Sequence, residues 1–479
     1  MSLREKTVSG ISWSLAEQFG SKIVGFVISI ILARLLLPEQ FGLIAMLSIF
    51  ISIGNSLMDS GLTSSLIRTN DANQRDYSTI FFFNLIGSVL IYSIIYIAAP
   101  LISGFYKQSL LTNIIRVYSI SFIINAFFSI QSTRLTKEMN FKAQTAIKVP
   151  SSIVGGISGI VMAKMGLGVW SLVAMYLLNS FCSTLLHWIY SDWRPSFLFD
   201  RNSFKRHFFF GYKMTISGLL ETLYQNIYVV IIGKNYPASQ LGFYSRADTI
   251  SQLPISNISI AINKVTYPVL AKISDDSSKL KEVYRQLLQQ IIFCNTPILI
   301  CLSVIAEPLF RFLLTEKWLT AVPYFQILCL AGISYPLHSY NLNILKVKGR
   351  SDLLLQLELV KKVISIVGII CVIPYGVLGL LYFQLAFSFV SYLINSFYSG
   401  KIINYPVKEQ VADVYPSLLL ASIAGYICYL FDFYLSYYQV VDLARIIISS
   451  FIYFAAYLGA SYLLKLTAIT NLKHLILRK

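Results

Sequence analysis

Charged side chains are scarce in this sequence: 13% of the 479 residues are Asp, Glu, Lys or Arg, against 56% hydrophobic. A water-soluble chain cannot cover its surface with so little charge, which excludes an ordinary soluble protein. Histidine is rarer still. His187, His207, His338 and His474 are widely separated, and no His-Glu-x-x-His run offers a metal site. The six cysteines (Cys182, Cys294, Cys301, Cys329, Cys371 and Cys428) fall in apolar stretches without Cys-x-x-Cys spacing, so packing is their expected role, not disulfides or zinc. There is no Gly-x-x-x-x-Gly-Lys-Ser/Thr loop to cradle nucleotide phosphates. No cofactor and no metal is expected, and the chain does not read as an enzyme. Carboxylates are also outnumbered, 22 Asp and Glu against 39 Lys and Arg, for a net charge of +17. These cations are dispersed in short gaps between apolar runs and not gathered into one basic domain, which sets nucleic acid aside.

What is abundant is apolar sequence in long runs, with a mean hydropathy of +0.66. Each bilayer crossing takes roughly 20 apolar residues, so a single helical bundle can use the whole chain. Stretches long enough to cross begin near Ile11, Gly42, Ser78, Asn113, Lys148 and Leu167. Further starts lie near Phe208, Gly242, Leu287, Val322, Leu353, Val377, Tyr415 and Leu443, for about fourteen crossings. Arg4 and Lys6 precede the first run as in a signal peptide. That run, however, extends to Leu35, carries Glu17 and Lys22 and has no small-residue cleavage site, so it is expected to stay as a membrane helix. The fold class read from this pattern is all-α and polytopic.

The loops test the count, because cytoplasmic loops are enriched in Lys and Arg. With the N-terminus inside, most of the basic residues fall in alternate segments, among them Lys346, Lys348, Arg350, Lys361 and Lys362 as one inside group. Only Lys107, Lys164, Lys234, Arg311 and Lys317 fall in the opposite loops. Both termini are predicted to be cytoplasmic. An internal repeat supports the same layout: Ile31-Leu32-Ala33-Arg34 with Gln40-Phe41-Gly42 recurs as Ile231-Ile232-Gly233-Lys234 with Gln240-Leu241-Gly242, and Pro38 nearly coincides with Pro237. Two six-helix lobes are implied, 1–200 and 201–404, with two further helices and a tail in 405–479. Duplicated lobes suit a transporter that exposes a central site to alternate sides.

Charge inside a membrane helix must face a cavity, a partner or the interface. Lys22 lies near the middle of the first helix, five residues after Glu17, and reads either as a cationic floor for an anionic substrate or as half of an internal salt bridge or a snorkelling side chain. The eighth helix is unusually polar: Arg246, Asn257, Asn263 and Lys264 share it, which points to the wall of a wet cavity, with Asp248 as a local partner for Arg246. Glu221, Gln225 and Asn226 fall in the middle of the seventh helix at roughly helical spacing. A carboxylate there has two readings, coupling to a proton or sodium ion, or neutralising Lys22 or Lys264. Asp59, before Ser60-Gly61, reads as a helix break. Arg34 and Arg116 lie at outside ends, where basic residues either anchor to the interface or guide a negatively charged headgroup. The 31 tyrosines and 32 phenylalanines are read as packing and interfacial belt.

The opening Gly10-Ile11-Ser12-Trp13, then Ala33-Arg34-Leu35-Leu36 with Pro38-Glu39-Gln40-Phe41-Gly42, resembles the Wzx-type polysaccharide flippases. Asp59-Ser60-Gly61-Leu62, Gly242-Phe243-Tyr244-Ser245-Arg246-Ala247 and Tyr267-Pro268-Val269-Leu270 extend the likeness over essentially the whole chain, most closely to the colanic-acid and teichuronic-acid branch. The resemblance implies a V-shaped two-lobe fold of the superfamily that includes multidrug extruders and the lipid II flippase. It also implies translocation of an undecaprenyl-pyrophosphate-linked oligosaccharide across a bacterial inner membrane, by alternating access without ATP. The implied partners are that lipid-linked oligosaccharide and membrane lipids, with a polysaccharide polymerase and chain-length machinery as further candidates. A cavity holding Lys22, Arg246, Lys264 and Asn257 would suit the anionic pyrophosphate. The rival reading is a cation-coupled multidrug exporter of the same fold, whose cavity should be acidic.

Overall fold

The computed structural model describes residues 20–59 and 61–470. The described chain opens on a helix at 20–35 (α1), followed by α2 (Pro38–Asp59), short α3 (Leu62–Arg68) and α4 (Gln74–Tyr106). Next come α5 (Leu111–Tyr118), α6 (Ile120–Ala126) and α7 (Ser129–Lys137), then α8 (Phe141–Lys164) and α9 (Val169–Tyr190). Beyond an extended linker lie α10 (Arg201–Gln225), α11 (Ile227–Asn235) and α12 (Ala238–Lys272). The remainder is α13 (Ser277–Val304), α14 (Ala306–Leu314), α15 (Val322–Gly332), α16 (Tyr335–Val347), α17 (Ser351–Val372), α18 (Gly376–Ile403), α19 (Val407–Tyr437) and α20 (Asp442–Leu463).

Among the described residues, nine stretches are long and apolar enough to cross a bilayer, and two bent pairs (α5–α6 with α7, α10 with α11) add two more with bends of 46°. One of the nine, Ser351–Ile403, contains both α17 and α18, and α1 and the polar α12 complete the expected set of about fourteen. The order α2, α4, a broken rod and the pair α8–α9 is followed later in the chain by α12, α13, a broken rod α15–α16 and the pair α17–α18. α2 ends at Asp59, and Gly61 takes a left-handed conformation (φ 63°), which is the break read from Asp59-Ser60-Gly61.

The chain packs as two compact units, Met1–Gly242 and Phe243–Lys479. Lipid is as apolar as a leucine side chain, so helices inside each unit are held by close approach at small residues and by polar contacts. In the first unit α8 and α9 approach at Gly155, where a Cβ would fall 2.6 Å from the Met175 carbonyl oxygen. A cluster of Leu62, Leu66, Tyr77, Ile80, Phe81, Ile130 and Trp193 packs around the start of α4. The linker from α9 is stitched to that start: Trp193 Nε1 donates to Gln74 Oε1 at 2.6 Å, the Ser196 amide to Ser78 Oγ at 3.0 Å and the Asp200 amide to Thr79 Oγ1 at 2.9 Å. Asp200 then caps α10 by accepting from the Asn202 amide, and α10 lies on α2, α3 and α4.

In the second unit α13 is the central rod, packed by α15, α16, α18, α19 and α20. Tyr284 of α13 stacks on Tyr340 of α16 with ring centroids 4.4 Å apart and donates to the Asn341 side chain. Arg285 of the same helix holds Asp413 of α19 through two bonds of 2.6 and 2.7 Å, and Tyr405 donates to that carboxylate as well. α19 and α20 are joined by a buried ion pair, Asp432 with Arg445 at 2.7 Å, to which Ser449 adds a bond of 3.2 Å.

Candidate functional site

The residues singled out from the sequence divide between the units. Lys22, Arg34, Arg116 and Glu221 belong to the first; Arg246, Asn257 and Lys264 belong to the second. Glu17 lies outside the described residues. On α1, Lys22 is exposed along the helix and Arg34 is exposed in its last turn. Arg116 is held locally: its guanidinium lies 4.4 Å from the centre of the Tyr96 ring, and its Nε donates to the Tyr96 carbonyl at 3.4 Å. That geometry ties α5 to α4.

Glu221, Gln225 and Asn226, expected in mid-helix, lie within the bent pair α10–α11, at its 46° break. Gln225 Nε2 donates to Glu221 Oε1 at 3.0 Å, and Asn226 Nδ2 donates to the Thr222 carbonyl at 2.9 Å, which also accepts the Asn226 backbone N–H. Thr222 also meets Ser56 of α2 at 3.1 Å. The carboxylate of Glu221 is therefore placed beside a helix break, where backbone groups add to its polar surroundings.

The eighth helix of the sequence reading is α12, a 35-residue rod interrupted by Pro254 and Pro268. Asn257 is exposed, and its Nδ2 donates to the Leu253 carbonyl at 2.8 Å beside the first proline. Lys264 is exposed, whereas its neighbour Asn263 accepts from Asn343 of α16 at 2.9 Å. Asn263 thus works between helices, and Lys264 points its charge elsewhere. Arg246 is half-buried one turn from the start of the second unit. Asp248, read as its partner, accepts from Gln252 at 3.4 Å. In chemical terms α12 carries two cations and the Asn257 amide along one proline-interrupted rod.

The family model described as polysaccharide biosynthesis protein matches residues 31–323. The chain belongs to that family. Among curated relatives it is similar to the teichuronic acid biosynthesis protein TuaB of Bacillus subtilis (strain 168), 27% identical over 355 residues covering 74% of this chain and 73% of the relative. It is also similar to the lipopolysaccharide biosynthesis protein WzxC of Escherichia coli (strain K12), 25% identical over 372 residues covering 77% and 76%. The Wzx-type resemblance read from the motifs is thereby borne out. Of solved structures, the lipid II flippase MurJ in an inward closed conformation superposes with a TM-score of 0.73 over 95% of this chain and 99% of that one, at 14% identity. An inward-facing multidrug transporter of the MATE family gives 0.62 over 80% and 94%, at 16% identity. Those two likenesses show the fold.

Within this polysaccharide biosynthesis protein three charged clusters were not singled out from the sequence. The first is Asp76 in the first turn of α4, fully buried, which accepts from Arg206 at 2.8 Å and lies 3.4 Å from His207 Nε2. Ser65 meets His207 Nδ1 at 2.8 Å, so α3, α4 and α10 converge on one carboxylate. The second is Asp432 with Arg445, continued by Asp442 to Arg311 of α14 and on to Glu307. The third corrects the loop assignment. Lys361 and Lys362 lie half-way along α17, and Lys361 is buried with a bond of 2.5 Å to Glu358. A charge at the centre of a membrane helix costs about 3 kcal/mol on insertion scales, so pairing is what lets Lys361 remain there. The readable signal was its spacing, since Leu357, Lys361, Ser365 and Ile369 recur every four residues as the buried stripe of α17.

Proposed function

We propose that this protein moves an undecaprenyl-pyrophosphate-linked oligosaccharide repeat unit across the bacterial inner membrane for surface polysaccharide assembly, by alternating access and without ATP hydrolysis. The observation that carries the reading is the combination of curated relatives named for teichuronic acid and lipopolysaccharide biosynthesis with a fold that follows the lipid II flippase over 95% of the chain. Both termini are cytoplasmic in this reading. The lobes are the repeat-defined 1–200 and 201–404, with 405–479 appended.

In this proposal Lys22, Arg246, Lys264 and Asn257 offset and orient the pyrophosphate and its first sugars. Arg34 guides the headgroup at the outer end of α1. Arg116 is assigned the same task through the face of its guanidinium not engaged by Tyr96. Glu17 and Glu221 balance the cations, with ion coupling as their alternative role. The multidrug-exporter reading draws on the MATE likeness, and the preponderance of cations among the singled-out helix residues weighs against it.

The test is transport by the purified protein in proteoliposomes, following access of a lipid-linked oligosaccharide to a glycosidase confined to the opposite side. Protein-dependent access supports the reading. No movement of several such lipids, together with export of a cationic dye, replaces it with the exporter.

A further inference from the structure

The linker between α9 and α10 carries a triplet, Phe197-Leu198-Phe199, that no described residue covers: Phe197 is 95% exposed, Leu198 51% and Phe199 56%. The support beneath it is fixed. Gln74 Nε2 donates to the Arg194 carbonyl at 2.8 Å and to Ser196 Oγ at 2.9 Å, while the Arg194 guanidinium lies 5.3 Å from the centre of the Trp188 ring and donates to the Trp188 carbonyl at 2.9 Å. With the bonds to Ser78 and Thr79, these hold the linker across the start of α4. Where that is relative to lipid follows from α4 itself. Its exposed residues Ile86, Leu90, Ile94, Ile97 and Leu101 form one apolar stripe along a membrane span, and Phe82 lies on the same stripe. From Phe82 to Leu101 is about 29 Å at 1.5 Å per residue, the thickness of the hydrocarbon, and no charged residue falls between them. Phe82 therefore marks the edge of the hydrocarbon at the end where α4 begins. Phe197 stacks on Phe82 with ring centroids 5.5 Å apart and 28° between the planes. Phe199 meets Phe204 of α10 at 5.8 Å and Phe204 meets Phe83 at 4.9 Å, so the aromatic surface continues onto α10.

Cations border this surface. Arg201 and Lys205, four residues apart on α10, are exposed, and neither has an ion pair among the described residues. Asp200, the carboxylate next to them in sequence, is occupied by the Asn202 amide at 2.8 Å and the Ser203 hydroxyl at 3.4 Å. Arg206, beside Lys205, reaches Asp76 in the first turn of α4 at 2.8 Å, so a basic side chain at this point of α10 extends from the aromatic level to the polar end of α4. We propose that the linker is embedded in the phospholipid leaflet at which α4 begins, with Phe197, Leu198 and Phe199 among the acyl chains and Arg201 and Lys205 on the phosphates of anionic lipids. Aromatic rings at the edge of the hydrocarbon, with basic side chains that reach past them, make an interfacial anchor. Anionic headgroups supply the counter-charge that the described chain does not give to Arg201 and Lys205. A soluble protein would meet the triplet only by displacing lipid. The assignment needs α4 to cross the bilayer, and it holds whatever the protein transports.

The experiment uses the full chain in nanodiscs of phosphatidylglycerol and phosphatidylcholine in equal parts, with the photoreactive residue benzoylphenylalanine in place of Phe197. After illumination, mass spectrometry of the linker peptide identifies what the probe has captured. Lipid adducts are expected at 197, and several-fold fewer with the same probe in place of Asp192, an exposed polar position of the same linker. Phosphatidylglycerol adducts should exceed phosphatidylcholine adducts by about fivefold, the effect of one basic residue at an anionic surface, or more. Arg201→Gln combined with Lys205→Gln should bring that ratio to about one while the total yield of adducts stays, a difference a purely structural role for the two cations would not produce. If the variant with the probe at 197 does not accumulate, the probe at Leu198 serves. Absence of lipid adducts at both positions, or a covalent dimer of the chain in their place, overturns the proposal. Equal capture of the two lipids, or a preference that survives the double change, overturns the assignment of anionic headgroups to Arg201 and Lys205.

Discussion

Gly42 and Gly242 are related by reciprocal contact: a Cβ on Gly42 would fall 1.8 Å from the Ala238 carbonyl oxygen, and one on Gly242 would fall 1.9 Å from the Pro38 carbonyl oxygen. Each glycine of the repeated motif makes room for the backbone that begins the other copy. Either Gly→Ala change forces backbone to move, since no side-chain rotation relieves contact with a carbonyl, and overpacking of this kind costs about 1–3 kcal/mol or more. Gly42→Ala and Gly242→Ala should each lower the thermal unfolding temperature of the purified protein and its abundance in the membrane. Gly87→Ala, where a Cβ meets nothing within 4 Å, should do neither.

Lys22 and Lys264 are exposed, so replacing them should leave folding intact. Lys22→Ala and Lys264→Ala are expected to reduce polymer export about tenfold, the loss of one charge-assisted hydrogen bond, at unchanged membrane abundance. Wild-type export from both variants would remove them from the substrate path.

Glu221 already accepts from Gln225 at the α10–α11 break. Glu221→Gln should therefore lower export modestly while leaving its response to a pH gradient in place. Loss of that response in this variant would assign ion coupling to Glu221.

Asp432 and Arg445 are almost fully buried, and cutting one partner leaves an uncompensated charge. Asp432→Ala should destabilise the protein by about 3–5 kcal/mol, whereas the paired change Asp432→Leu with Arg445→Met should recover most of that. Denaturation of the two variants and the wild type, read by tryptophan fluorescence, decides the matter.

Much of this architecture was readable before any coordinates. Apolar run lengths locate the rods because a helix must span the hydrocarbon, and Gln-Phe-Gly and Gln-Leu-Gly each end on a glycine where the approach of backbone leaves no room for a Cβ. Lys361 was misplaced for a physical reason. Basic residues usually mark loops, and the Glu358 that makes a lysine tolerable in mid-helix is evident only once the helix is drawn through it. Glu221 was put in mid-helix because its neighbours are apolar enough to continue the run, and the bend at Asn226 leaves no mark in that periodicity.

The stitching of the α9–α10 linker to the first turns of α4 has a consequence for biosynthesis. Gln74, Ser78 and Thr79 leave the ribosome about 120 residues before Trp193, Ser196 and Asp200 that complete them. Until then the polar groups at the leading end of α4 lack these partners. The linker is thus the point at which the start of α4 gains its partners, ahead of the α10 that packs on α2, α3 and α4 to complete the first unit.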